Sequence, residues 1–180
     1  MKRLLIYFFT FFCIFPLFSE EINSGIIYGD NWACLTIAPE GWIMDQESMA
    51  HNNIYALFYE RGKKFKFPTP IIYMNTTKLR AATDEALQEF IDYAIQRFSR
   101  PGTEISILEK NFPKLNAIYK MKYHVYSIIN DRGQFEIIIY MRYKDTCFFL
   151  VLNAPTKETL NELYPKMEEI IDNIAFLDKY

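Results

Sequence analysis

Histidine, cysteine and paired acidic residues are the side chains most able to do chemistry, and they are sparse in this sequence. The two histidines, His51 and His124, are not spaced with cysteine or acidic residues as metal ligands are. The six glycines are scattered and form no phosphate-binding loop, and no Gly-x-Ser-x-Gly sequence occurs. The sequence therefore predicts no catalytic constellation, no metal site and no cofactor, and it favours a protein that is not an enzyme.

Two cysteines, Cys34 and Cys147, lie inside apolar strand patterns. They could be buried small apolar residues, or they could form a disulfide in an oxidising compartment. A nucleophilic pairing of either with His124 is disfavoured, because thiols inside apolar strands are usually inert.

Basic and aromatic residues alternate in one stretch, from Arg61 to Pro70, which joins two predicted strands. Such a loop could dock on an anionic membrane surface or on an acidic partner. It could equally be a solvated connection whose aromatic side chains pack back on the sheet. The candidate binding residues in it are Arg61, Lys63, Lys64, Phe65, Lys66 and Phe67.

The elements that must position these residues are mostly strands. Alternating or continuous apolar residues between turn signals predict a series of strands. They are Ile26–Asp30, Trp32–Ala38, Asn53–Tyr59, Ile71–Asn75, Glu104–Leu108, Ala117–Ile129, Phe135–Tyr143 and Thr146–Asn153. Apolar residues at helical spacing predict one helix from a cap at Thr83 to Ser99 and another from a cap near Thr156 to Ile174. Pro165 predicts a kink in the second helix, or a short helix before a longer one.

The longest predicted hairpin has a definable register. A three-residue turn, Asp131-Arg132-Gly133, brings the apolar faces of the two strands to the same side, with Gly133 in the left-handed conformation. This register pairs His124 with Tyr140. It also makes a basic strip of Lys120, Lys122, Arg142 and Lys144. The strip is either an acid-binding surface or a face whose counter-charges come from a helix such as 158–169.

The strand Thr146–Asn153 is apolar on both faces, which is typical of a strand buried on both sides of a sheet. Helices must then cover both faces. The sequence therefore predicts an α+β fold in which an antiparallel sheet is sandwiched between helices.

The N-terminus has the pattern of a signal peptide. Lys2 and Arg3 precede an apolar run from Leu4 to Phe18, which is too short for an ordinary membrane-spanning helix. We expect cleavage after Ser19, with an uncleaved anchor as the alternative. The expected organisation is a signal peptide over 1–19 and one domain over 20–180, exported to the periplasm or the extracellular space. Without Lys2 and Arg3, 18 basic residues stand against 22 acidic residues, so the net charge of −4 gives no indication of nucleic-acid binding.

The strand that runs into Pro39-Glu40-Gly41-Trp42, the single internal helix, the long antiparallel meander and the C-terminal helix resemble the PsbP-like family of PsbP and DcrB-like envelope proteins. The resemblance covers nearly all of the mature chain. It implies an α/β/α sandwich and a role in binding or assembly, and it brings no catalytic residues.

We therefore expect an exported, non-catalytic binding or assembly module of the cell envelope. Its partner would be an envelope protein or an anionic membrane surface. The alternative is a small-ligand carrier or an enzyme, with a pocket between sheet and helix lined by Tyr119, Tyr123 and Tyr126.

Overall fold

The computed structural model describes residues 23–66 and 68–178. The predicted signal peptide, 1–19, lies outside the described residues. Strands are the commonest element of the described chain; they are β1 Ser24–Tyr28, β2 Trp32–Ile37, β3 Trp42–Met44, β4 Ala56–Glu60, β5 Ile71–Lys78, β6 Glu104–Ile107, β7 Tyr123–Ile129, β8 Phe135–Tyr143, β9 Thr146–Ala154 and β10 Ala175–Asp178. The helices are α1 Gln46–Asn52, α2 Asp84–Phe98, α3 Pro113–Ala117 and α4 Lys157–Asn173.

The strands form two antiparallel sheets. The large sheet has seven strands in the order β3-β4-β5-β9-β8-β7-β6, and the small sheet has the order β1-β2-β10. The core on one face of the large sheet includes Leu160 and Met167 from α4 and Cys34 from β2. The core on the other face includes Leu87 and Ile91 from α2. The predicted α+β class, with an antiparallel sheet between helices, is confirmed.

β9 is buried on both faces, as its two apolar faces predict. Phe148, Leu150 and Leu152 belong to the core shared with α4, whereas Cys147 and Val151 belong to the core shared with α2. A strand in this position must be apolar at almost every residue, because neither face meets water.

Both predicted helices begin at their predicted caps. The side chain of Thr83 accepts a hydrogen bond from Ala86 N, and that of Thr156 accepts one from Thr159 N. These bonds satisfy amide groups that have no partner within the helix. Pro165 lies inside α4, which runs without interruption, so the expectation of a short helix followed by a longer one is wrong.

The β7–β8 hairpin has the predicted register and turn. The amide of Asn130 donates to the carbonyl oxygen of Gln134 at 3.0 Å, and His124 lies opposite Tyr140. Gly133 has a φ of 71°, the left-handed conformation that the three-residue turn requires.

The prediction of one strand over Ala117–Ile129 is wrong in its first half. That half contains the end of α3 and a turn in which Lys120 has a φ of 49°, and β7 occupies only the second half. The amide of Met121 donates to the carbonyl oxygen of Leu115, and both side chains are buried in the α4-side core. A helical turn thus buries apolar residues that an extended strand would have buried by alternation.

Four elements were not predicted: α1, α3, β3 and β10. Asp45 caps α1 by accepting a hydrogen bond from Ser48 N, and Asn53 ends it in the left-handed conformation with a φ of 53°. The predicted strand Asn53–Tyr59 is therefore wrong at its start, and β4 begins three residues later. Trp42 opens β3 and is buried, which agrees with a packing role at a strand end.

A polar contact joins the small sheet to the large one. The indole Nε1 of Trp32 donates to the hydroxyl of Thr146 at 2.9 Å, and both side chains are buried. The Trp32 ring also lies edge-on to Phe148, with ring centroids 4.6 Å apart. Within the part of the chain that the structure describes, no helix has the length and apolar character needed to cross a lipid bilayer.

We expect the Trp32–Thr146 contact to contribute to stability as a pair. Removing one partner, by Trp32→Phe or Thr146→Val, should lower the free energy of unfolding by about 1–3 kcal/mol, because the other group stays buried without a partner. Urea denaturation of both single variants and of the double variant measures the coupling. The double variant should lose less than the sum of the single losses, and strict additivity would contradict the assignment.

Candidate functional site

The basic loop is the connection between β4 and β5, and the structure places it on the surface. Lys63, Lys64 and Lys66 are exposed, whereas Phe65 is half-buried and packs against the α4-side core. Arg61 is also exposed, and Phe67 lies outside the described residues. The loop thus presents its charges to solvent while one aromatic side chain fastens it to the domain.

The predicted basic strip does not form as one surface. Lys122 does lie opposite Arg142, whose amide donates to the Lys122 carbonyl oxygen at 3.1 Å. Lys120 is not opposite Lys144, because Lys120 lies in the turn after α3 and Lys144 lies in the tight turn between β8 and β9.

The counter-charges of the strip come from elements other than the helix 158–169 that was expected to supply them. Arg142 Nη2 lies 2.7 Å from Asp84 Oδ1 at the start of α2, and Lys144 Nζ lies 2.8 Å from Asp178 Oδ1 in β10. The side-chain bonds that Lys144 and Tyr143 donate lower the pKa of Asp178. These two basic residues therefore join the large sheet to α2 and to β10.

The cysteines belong to separate cores. Cys34 and Cys147 are free thiols, and they lie in the cores on opposite faces of the large sheet. The disulfide alternative is therefore wrong, and the alternative of two buried apolar residues describes both. Burial raises the pKa of each thiol to about 12, so both are protonated at neutral pH.

The two histidines also differ in their exposure to solvent. His51 is exposed in the last turn of α1, whereas His124 is half-buried opposite Tyr140. Burial, and then the charge of Lys122, lower the pKa of His124. Within residues 23–66 and 68–178, no three His, Cys, Asp or Glu side chains are grouped so that they could hold a metal ion.

The tyrosine pocket expected for a carrier or an enzyme is not formed by its three predicted residues. Tyr126 belongs to the α2-side core, whereas Tyr119 and Tyr123 pack on the α4-side core. Tyr123 and Tyr126 are an odd number of positions apart on one strand, so their side chains must point to opposite faces.

A cleft does lie between the large sheet and a helix, beside the C-terminal half of α2. It has a volume of about 440 Å³ and lies between the C-terminal half of α2 and the β7–β8 hairpin. Its apolar lining includes Phe90, Ala94, Phe98 and Ile128. We call this cavity the α2 cleft.

Three arginines from separate segments line the α2 cleft: Arg97 in the last turn of α2, Arg100 after it, and Arg132 in the hairpin turn. All three are exposed. The guanidinium of Arg97 lies 5.8 Å from the ring centre of Tyr93, and none of the three pairs with an acidic side chain among the described residues.

One partly buried carboxylate, Glu136, also lines the α2 cleft. Its Oε1 accepts a hydrogen bond from Asn153 Nδ2 at 2.9 Å. Burial raises the pKa of Glu136, and the hydrogen bond from Asn153 opposes that rise in part. Glu136 is on β8, so the sheet carries this carboxylate while α2 and the hairpin turn carry the arginines.

The basic loop and the arginines lie at the same end of the large sheet. One row of paired residues crosses five strands there: Ile71, Asn153, Glu136, Ile128 and Ile105. The connections just beyond this row are the β4–β5 loop, the α2–β6 connection and the β7–β8 turn. We call five exposed cations of these connections, Lys63, Lys64, Lys66, Arg100 and Arg132, the basic end.

Sequence reasoning found the loop but missed the arginines. Arg100 and Arg132 are separated from the loop by tens of residues, and only the strand order brings their connections to one end. One signal in the sequence could have identified Arg100 and Arg132 as surface residues, because both lie in turns that the sequence had located correctly.

Comparison with known proteins gives similarity to solved structures. No protein-family model matches the chain, and no curated protein matches it. The chain is similar to the solution structure of cyanobacterial PsbP (CyanoP) from Synechocystis sp. PCC 6803, with 9% sequence identity, 88% of this chain and 96% of that chain covered, and a TM-score of 0.47. The α+β class itself follows from the strand order and the helix placement described above.

The environment of Glu136 leads to a prediction about pH. Its pKa is raised in the folded state, so its contribution to stability is present below its unfolded pKa and is lost as pH rises through its folded pKa. Glu136→Gln keeps an acceptor for Asn153 and removes this titration. The variant should therefore gain stability relative to the parent as pH rises from about 4 to 7. Urea denaturation across this range measures the difference, and a gain that grows toward low pH would contradict it.

Proposed function

We propose that this protein is an exported, non-catalytic binding module of the cell envelope that docks on an acidic partner protein through its basic end. The observation that carries the proposal is the difference between the two ends of the large sheet. At the opposite end, Lys78, Arg142 and Lys144 each have an acidic partner within 4 Å, and Lys120 and Lys122 are the exposed cations there without one among the described ion pairs. The cations of the basic end have none among the described residues.

The charge distribution supports docking in one orientation. The mature chain is expected to carry a net charge of −4, so the five unpaired cations of the basic end contrast with the rest of the domain and outnumber the exposed acidic residues Glu60, Glu104 and Asp131 at the same end. An acidic surface would attract that end and repel the rest of the domain. Neutralised charges at the opposite end would contribute little to such steering.

The side chains around the basic end favour a protein over a lipid surface. Phe65 packs inward, so the loop offers no described aromatic side chain for insertion into a bilayer. Tyr93 and Phe98, 58% and 42% exposed, lie near Arg97 and Arg100 along the end of α2. Arginine beside exposed aromatic side chains is the composition enriched at protein interfaces.

The non-catalytic part of the proposal is supported by the state of the nucleophile candidates. Cys34 and Cys147 are buried with a pKa of about 12, and they lie on opposite faces of the sheet. Export is supported by the signal-peptide pattern of residues 1–19, which would place the domain in the envelope.

The proposal predicts a charge effect confined to one end. Replacing Lys63 and Lys64 by Gln should weaken binding to poly-L-glutamate about thirtyfold at low salt, because each lysine contributes roughly 1 kcal/mol near an anionic surface. The matched variant, Lys120→Gln with Lys122→Gln, removes the same charge at the other end and should bind as the parent does. Both pairs are exposed, so the melting temperature should stay nearly unchanged.

Two further experiments distinguish an acidic protein partner from an anionic membrane. A photo-cross-linking residue at position 64, in the native host, should form an adduct with an acidic envelope protein, and one at position 120 should not. Vesicles with anionic lipids should bind more weakly than poly-L-glutamate at equal charge. The proposal would be contradicted if the Lys63 and Lys64 variant and the Lys120 and Lys122 variant lost poly-L-glutamate binding equally. Binding of the parent to vesicles and not to poly-L-glutamate would assign the basic end to the membrane.

A further inference from the structure

The α2 cleft has the size and lining of a small-molecule site. Its volume of about 440 Å³ is within the range of ligand pockets, roughly 300–1,000 Å³. Phe90 and Ala94 line one wall from α2, and Ile128 lines the sheet side. Phe90 also lies edge-on to Tyr140, with ring centroids 6.1 Å apart, so the core holds this wall in place.

The charged groups of the cleft come from independent segments. Arg97, Arg100 and Arg132 lie on a helix end, a connection and a hairpin turn, and all three line the same cavity. A guanidinium is planar and can bind two oxygens of one carboxylate or sulfonate at once. Since none of the three has an acidic partner among the described residues, their donors are available to a ligand.

Glu136 sets the orientation of such a ligand. Its carboxylate is partly buried on β8, whereas the three arginines are exposed. Asp131, the exposed neighbour of Arg132 in the hairpin turn, also lines the cleft, so one carboxylate stands against three guanidinium groups there. A ligand anion placed next to Glu136 would be repelled, and one placed at the arginines would be attracted. The charged end of the ligand must therefore stay at the arginines, with its apolar part against Phe90, Ala94 and Ile128.

We infer that the α2 cleft binds a small organic anion, a carboxylate or a sulfonate with an aromatic or short aliphatic body. The arginines would hold the anionic group and the apolar wall would hold the body. The cleft shares Arg100 and Arg132 with the basic end, so a bound anion and a docked acidic partner would compete for these two arginines. Binding of the anion depends on the cavity and its apolar wall, and it does not require that the basic end dock on a macromolecule.

A pair of fluorescent probes tests the inference on the whole mature chain. Anilinonaphthalene sulfonate has an aromatic body and an anionic group, and phenylnaphthylamine has the same body without the sulfonate. Replacing Arg97 and Arg132 by Gln should weaken sulfonate binding about tenfold, the usual loss when charged contacts to a ligand are removed, and should change binding of the neutral probe less than about twofold. Glu136→Gln should tighten sulfonate binding, because it removes the repulsion and keeps the acceptor for Asn153.

A control variant addresses the other exposed apolar surface. Ile26 and Leu177 are 50% and 56% exposed on the small sheet and could also attract the probes. Replacing both by Thr should leave sulfonate binding unchanged if the α2 cleft is the site.

Several results would overturn the inference. These are unchanged sulfonate binding in the arginine variant, loss of binding in Glu136→Gln, or loss of binding in the Ile26 and Leu177 variant. Displacement of the probe by inorganic phosphate, at concentrations where phenylbutyrate has no effect, would also overturn it, because the site would then take a bare anion. Displacement by phenylbutyrate and not by phosphate is the expected outcome.

Discussion

Burial of β9 on both faces is the constraint on which the rest of the structure depends. The strand lies in the large sheet between β5 and β8, and its side chains enter both cores. Because apolar surface on either face of the strand is unfavourable in water, both faces must be covered. The small sheet and α4 cover one face, and α2 covers the other.

Polar contacts at one end of the large sheet hold the small sheet and α2 against it. Thr146, at the start of β9, accepts the hydrogen bond from Trp32 of the small sheet. Arg142 pairs with Asp84 at the start of α2, and Lys144 pairs with Asp178 of β10. Arg142 and Lys144 at that end therefore serve the fold. At the other end, the cations of the basic end have no acidic partner among the described residues, which leaves them available to another molecule.

The sequence predicted the features that depend on local periodicity. The hairpin register could be derived because a one-residue shift would move every apolar side chain to the wrong face, and Gly133 marked the turn. The two-sided burial of β9 could be derived because residues 147–152 are apolar on both faces.

Features that depend on tertiary context could not be predicted in this way. The residues from Leu115 to Met121 have apolar spacing that fits a strand as well as the short helix and turn that they adopt. β10 is four residues long and follows α4 directly, so no turn signal separates it. The grouping of Arg97, Arg100 and Arg132 depends on strand order, which local patterns do not determine, and the basic strip was misplaced because Lys120 does not belong to a strand.

The central claim is that one end of the large sheet is the docking surface, and backbone amide chemical shifts on titration with poly-L-glutamate test it most directly. We expect the shift changes to be concentrated in residues 63–66, 100–103 and 130–134, and to disappear at high salt as the charges are screened. Shift changes concentrated at residues 120–122 and 144–145, at the opposite end, would contradict the claim, as would changes that do not respond to salt.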